Sequence, residues 1–164
     1  MKRALLFIIV AITALFSCSK GYDAIAEARA QAEVDDKIVQ DYITDNGLTA
    51  SAKRIDTTGV YYIVVAPGSG NDLFTNSTRV TVAYTGRVLT TGQEFTKSNN
   101  FPPSFALGEV IRGWQLGIPQ IKKGGTVRLL IPSRYAYGPY DQPEICLKKN
   151  SILDFDIRLL DVTN

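Results

Sequence analysis

The chain has 164 residues, 45% of them hydrophobic and 21% charged, with 18 lysines and arginines against 16 acids and a formal charge of +2. It contains no histidine, and its two cysteines are Cys18 and Cys146. These counts exclude a histidine-based triad, a histidine metal site and a paired-cysteine redox centre, so neither a metal nor a cofactor is expected, and the small charge offers no basic field for nucleic acid.

Lys2 and Arg3 precede an uninterrupted apolar run, Ala4 to Leu15, which suits the core of an export signal and is short beside a membrane-spanning helix of roughly 20 residues. The run ends in "LFSC", with the small Ser17 directly before Cys18. That junction resembles the lipobox of bacterial lipoproteins. The resemblance implies that residues 1–17 are a lipoprotein signal peptide and that the Cys18 thiol is acylated. The domain is then held by lipid at a membrane of the bacterial cell envelope, outside the cytoplasm. The alternative is an ordinary secretory signal followed by a chance cysteine. Cleavage before Cys18 leaves 147 residues and removes Lys2 and Arg3, so the formal charge falls to zero. A lipid on Cys18 also leaves Cys146 without a partner in the chain, so no intramolecular disulfide is expected and Cys146 reads as a small apolar filler.

Residues 18–57 read as anchor, linker and helix. From Tyr22 to Asp45 the sequence is rich in alanine and acids, lacks glycine and proline, and sets Ile38 with Tyr42 and Val39 with Ile43 at spacings of four, which predicts a helix. "DNG" at Asp45 to Gly47 supplies the stop, because glycine accepts the left-handed conformation that commonly ends helices. The first half, "AIAEARAQAEVDD", suits a solvated stalk, while the second half carries enough of an apolar stripe to pack on something. The segment as a whole reads as a spacer from the membrane, with a dimerisation helix as the alternative.

Beyond Thr57 the texture changes to short β-rich runs broken by glycine, asparagine and proline. "VYYIVVA" (60–66) is dense in β-branched and aromatic residues, and "RVTVAYTGRVL" (79–89) places Val80, Val82 and Tyr84 on one face by alternation. "TTGQ" turns the chain back into "EFT", and "SFAL", "TVRLLI" and "ILDFDIRLLDV" are three further strands. "VIRGWQLG" (110–117), with the single tryptophan between two glycines, is too short for an independent helix. An antiparallel sheet on very little helix is predicted, and from pattern alone an immunoglobulin-like sandwich competes.

Taken together, "VTVAYTGRVLTTGQEF", "FALGEVIRGWQLGIPQIKKGG", "RYAYGPYDQPEI" and "NSILDFDIRLLDV" resemble, in this order and spacing, the FKBP-type peptidyl-prolyl cis-trans isomerases. The resemblance covers about Thr58 to Val162, within a domain drawn as 58–164. It implies an α+β fold, a curved five- or six-stranded antiparallel sheet wrapped around a short helix, here preceded by an N-terminal helix. It also implies an activity, rotation of Xaa–Pro bonds in unfolded or newly exported polypeptides, and a capacity for macrolide ligands.

Taken singly, a lone tryptophan is more often core than site. The resemblance makes Trp114 the floor of a shallow cup for a proline ring. The walls it implies are Tyr84, Phe95, Val110, Ile111, Tyr137 and Phe155, with the Ile111 N–H and the Tyr137 hydroxyl bonding substrate carbonyls. Three positions depart from the family. Thr96 stands where an aspartate usually follows the phenylalanine. Pro103 replaces a wall phenylalanine, with Phe101 expected to take its place. The loop "LKKN", Leu147 to Asn150, replaces a proline pair, putting Lys148 and Lys149 at the rim and Leu147 beside the substrate. Two functions remain open at this point, a lipid-anchored isomerase and a catalytically weak binding module or holdase, for which Thr96 is the signature.

Overall fold

The computed structural model describes the backbone of residues 2–164 and the side chains from Asp23 onward. The signal peptide and the acylation expected at Cys18 lie outside the residues whose side chains are described. The chain divides into two compact units, Met1–Val34 and Asp35–Asn164. The first is helical from Lys2, as part of helix α1 (Lys2–Asp45), and its described side chains are exposed over 23–30, as a solvated stalk requires.

The second unit opens with the last turns of α1. Val39 and Ile43 are buried there beside Ile38 and Tyr42, in a cluster with Leu89, Leu130 and Ile152 on the outer face of the sheet. The spacing-of-four stripe read from the sequence is this contact. The helix stops as "DNG" dictates. Gly47 takes φ +67°, the Leu48 N–H reaches the Ile43 carbonyl at 2.8 Å and the Gly47 N–H reaches that of Thr44 at 3.1 Å. Residues 35–57 are therefore not a spacer. Ile55 is buried in the main core, and the compact unit begins well before the boundary drawn at residue 58. The reason is physical, since Leu89, Leu130 and Ile152 would otherwise present apolar surface to water.

All strand pairings are antiparallel. The strands are β1 (Lys53–Arg54), β2 (Tyr61–Ala66), β3 (Arg79–Val88), β4 (Glu94–Lys97), β5 (Ser104–Ala106), β6 (Thr126–Ile131) and β7 (Leu153–Thr163), in the order β1-β2-β6-β7-β3-β4 with β5 paired to β3. The six strands expected from the sequence are all present. The two-residue β1 is an addition, pairing Lys53 with Tyr62 and Arg54 with Tyr61. Alternation sorts the residues of the long strands. Val80, Val82 and Tyr84 of β3, Val127, Leu129 and Ile131 of β6, and Leu153, Phe155, Ile157 and Leu159 of β7 face the main core. On the other face, Arg128 grips Asp154 with two bonds of 2.9 and 2.8 Å and reaches the Tyr42 hydroxyl at 2.7 Å.

A single curved sheet rather than a sandwich results, because its inner face closes on the short helix α2 (Arg112–Gly117). The two glycines flanking Trp114 permit this. A β-carbon added at Gly113 would lie 2.5 Å from the Ile131 side chain, and one at Gly117 would collide with Leu129. The helix thus packs its bare glycine backbone directly on the Ile131 and Leu129 side chains of β6, and Trp114 is set at a fixed depth. Cys146 is not the apolar filler expected. It is exposed, at φ +54°, where it ends the turn Pro143–Ile145.

Candidate functional site

The concave face of the sheet and the start of α2 enclose a cavity of about 330 Å³ with Trp114 at its base. That tryptophan is only 5% exposed. The rings of Tyr84 and Phe155 meet it edge-on, with centroids at 5.0 and 5.1 Å and interplanar angles of 75° and 85°. Phe95 stands edge-on to Phe155 at 5.7 Å. Edge-to-face contacts of this kind are the favoured aromatic geometry and hold the rings in a rigid frame. Each ring comes from a different element, β3, β4, β7 and α2, so the cup exists only once the sheet has closed. The Trp114 Nε1–H is buried and has no acceptor among the described residues.

The lip is built from backbone and short polar groups. Val110 and Ile111 line the wall at the entry to α2. The Ile111 carbonyl accepts from the N–H groups of Trp114 (2.9 Å) and Gln115 (3.3 Å), and the Gln115 side-chain amide donates to the Val110 carbonyl at 2.8 Å. The Ile111 N–H itself has no acceptor among the described residues, and it sits at a turn fixed from both sides. Tyr137 stands opposite, on the loop after β6, and its hydroxyl makes no hydrogen bond among the described residues. Burial, and then the neighbouring Tyr84, push its pKa above the ordinary phenol value of 10.0, so it stays a neutral donor. Thr96 is set in the wall opposite Gly86 of β3. A β-carbon at Gly86 would lie 2.5 Å from Phe155 and 2.7 Å from the Thr96 methyl. Glycine therefore lets the ring and the methyl meet, and the methyl makes this part of the wall apolar.

Eight residues singled out in the sequence thus line one cavity: Tyr84, Phe95, Thr96, Val110, Ile111, Trp114, Tyr137 and Phe155. Two do not. Phe101 is 86% exposed and Leu147 is 2% exposed, buried in the main core. The ring beside Trp114 is instead Phe105, at 6.1 Å, with Tyr84 at 6.4 Å from it. Leu147 turns inward because its N–H and carbonyl are both bonded to Gln142, at 3.0 and 2.8 Å. The sequence reading missed Phe105, Glu109 and Ile145. Phe105 is brought to the cup by the pairing of its strand with β3, which sets it opposite the inward Val80.

No group of three or more histidines, cysteines or carboxylates stands together among the described residues, and the groups lining the cup that could act as nucleophile or base are the hydroxyls of Thr96, Tyr84 and Tyr137 and the carboxylate of Glu109. An aromatic cavity with unpaired donors at floor and lip can take an apolar ring, strip it of water and hold the carbonyls beside it.

Residues 70–160 match the sequence family described as FKBP-type peptidyl-prolyl cis-trans isomerase. The peptidyl-prolyl cis-trans isomerase Fkbp12 of Drosophila melanogaster is 41% identical over 108 residues, which is 63% of this chain and 98% of the relative. The isomerase FkpA of Buchnera aphidicola is 41% identical over 110 residues, but this stretch spans only 42% of that relative. Among solved structures, that of FkpA from Escherichia coli superposes with a TM-score of 0.69 at 34% identity, covering 94% of this chain and 71% of the other.

Proposed function

The chain belongs to the FKBP-type peptidyl-prolyl cis-trans isomerases, and from that membership we propose that its cup binds the proline of an Xaa–Pro segment and speeds rotation about the preceding peptide bond. An Xaa–Pro bond resists rotation because nitrogen lone-pair resonance gives it partial double-bond character, with a barrier of about 18–20 kcal/mol. Twisting breaks that resonance and leaves a less polar carbonyl. A dry aromatic cup therefore disfavours the planar amide more than the twisted one, and such differential binding is catalysis. The Ile111 N–H and the Tyr137 hydroxyl hold the flanking carbonyls while the other end turns, which adds an orientational share. No bond is made or broken, so the absence of histidine from the sequence costs nothing.

The observation that carries this reading is the frame of Tyr84 and Phe155 edge-on around a buried Trp114 whose Nε1–H is unpaired among the described residues. A protease-coupled assay on a chromogenic Xaa–Pro tetrapeptide tests it. Turnover far above background supports an isomerase. Suppressed client aggregation without turnover supports the second reading, a binding module or holdase, which the apolar Thr96 wall favours. Two relatives carry the name FK506-binding protein, and macrolides of that type are proposed as competitors for the cup, weakened by Thr96 and Pro103. Cleavage before Cys18, acylation of its thiol and a place in the bacterial cell envelope, where exported chains fold, are proposed from "LFSC" alone.

A further inference from the structure

Among the described residues, two carboxylates are buried. Asp154, 6% exposed, is bonded to Arg128. Asp35, fully buried at the point where α1 enters the second unit, accepts from the backbone N–H of Ser133 at 2.8 Å and from its hydroxyl at 2.6 Å. Ser133 opens the turn Ser133–Tyr135 that leads from β6 to Tyr137. Its own carbonyl accepts from the N–H groups of Ala136 and Gly138, both at 2.9 Å. Those two amides bracket Tyr137.

The hydroxyl of Tyr137 has no bond of its own among the described residues, so its place at the lip is set by the backbone that carries it. That backbone is tied to Ser133, and Ser133 is tied to Asp35. The tie runs between elements 98 residues apart in sequence. Cohesion between helix and sheet is already supplied by Val39 and Ile43, further along the same helix. A buried carboxylate is a poor choice for cohesion, since an apolar side chain of similar volume often stabilises as well or better. Its strength as an acceptor suits it to fixing a backbone amide and a hydroxyl at once. A neighbouring pair reinforces the same turn, with Arg134 bonded to Asp36 and to the Thr58 carbonyl, both at 2.7 Å.

We propose that Asp35 is a positioning residue for Tyr137, so that α1 sets the geometry of one wall of the cup through Ser133. The proposal rests on the isomerase reading for its effect on turnover, but not for the coupling itself. The test uses the full chain with Asp35→Ala, alone and combined with Tyr137→Phe, and Val39→Ala as a control that loosens the helix without touching Ser133. The first readout is kcat/KM on the Xaa–Pro tetrapeptide. Asp35→Ala is expected to lower it about fivefold to tenfold, a loss on the scale of one ordinary hydrogen bond at the lip, and to lower it less than twofold when Tyr137 is already phenylalanine. Val39→Ala leaves it unchanged. The second readout is hydrogen exchange at the Ala136 and Gly138 amides, which Asp35→Ala is expected to accelerate well beyond Val39→Ala. Equal losses in both backgrounds, or exchange no faster than in Val39→Ala, overturn the proposal. Should Asp35→Ala fail to fold, Ser133→Ala decides between the same outcomes, because it removes one donor and spares the backbone. If the unaltered chain shows no turnover, the isomerase reading falls alone, and amide exchange still decides whether Asp35 governs this loop.

Discussion

Ile25 and Ile43 are the same residue on the same helix, and the structure gives them opposite roles. Ile25 is 55% exposed, whereas Ile43 is 6% exposed and packed in the cluster with Leu130 and Ile152. Replacing Ile43 by alanine removes the side chain beyond its β-carbon, a transfer loss of about 2.4 kcal/mol at roughly 0.8 kcal/mol per methylene-sized group. The cavity left under the helix raises this, so a total of about 2–5 kcal/mol is expected. Ile25→Ala, at an exposed site, should stay within about 0.5 kcal/mol of the parent. Urea unfolding of both variants in the full chain measures the difference as a shift in midpoint at constant slope, and thermal unfolding should show a fall of roughly 10 °C for Ile43→Ala alone. If Ile43→Ala moves the midpoint no more than Ile25→Ala, the end of α1 is not part of the folded unit, and the account of residues 35–57 as an integral element fails.

Thr96→Asp should raise turnover several-fold, because a carboxylate at the lip of a low-dielectric cup acts on the rotating carbonyl with little screening. It should also lower stability where the new charge lacks a partner, and unchanged turnover in a folded variant would show that Thr96 does not limit the site. Turnover should be flat between about pH 6 and 9 and fall only above the ordinary phenol value, as Tyr137 ionises. The sign for stability is the same. Tyr137 holds its proton more tightly folded than unfolded, so its contribution is complete below pH 10.0, the ordinary phenol value, and is lost as pH rises through the higher folded value. A pH–rate profile that bends near neutrality would contradict this. Cys18→Ala should abolish incorporation of labelled fatty acid and cleavage at Ser17, and lipid retained by the variant would refute anchoring through that thiol.

Much of the sheet was legible because its strands alternate. Val80, Val82 and Tyr84 announce the inner face of β3 by spacing alone, and Leu153 to Leu159 do the same for β7. The site was legible only through motifs, since nothing in the period of "RGWQLG" says that its tryptophan floors a cup. What escaped depends on contacts distant in sequence. Leu147 looks like a loop residue until its pairing with Gln142 turns it inward. Phe105 sits on a strand of three residues, too short for alternation to declare a face. The docking of α1 left a trace that could be read. "LLI" in β6 is apolar without alternation, as in a strand covered on both sides, and Leu130 is the residue that meets the helix.

Exchange spectroscopy by NMR on a short Xaa–Pro peptide reports rotation of the bond itself, without a coupling protease. The uncatalysed interconversion takes tens to hundreds of seconds, too slow for exchange peaks between the cis and trans signals. Catalytic amounts of the full chain should bring those peaks up. Trp114→Ala should remove them and also cost about 3–5 kcal/mol of stability, whereas Tyr137→Phe should weaken them in a protein of nearly unchanged stability. Absence of those exchange peaks in the presence of the folded, unaltered chain would contradict the assignment of this cup as a site of prolyl isomerisation.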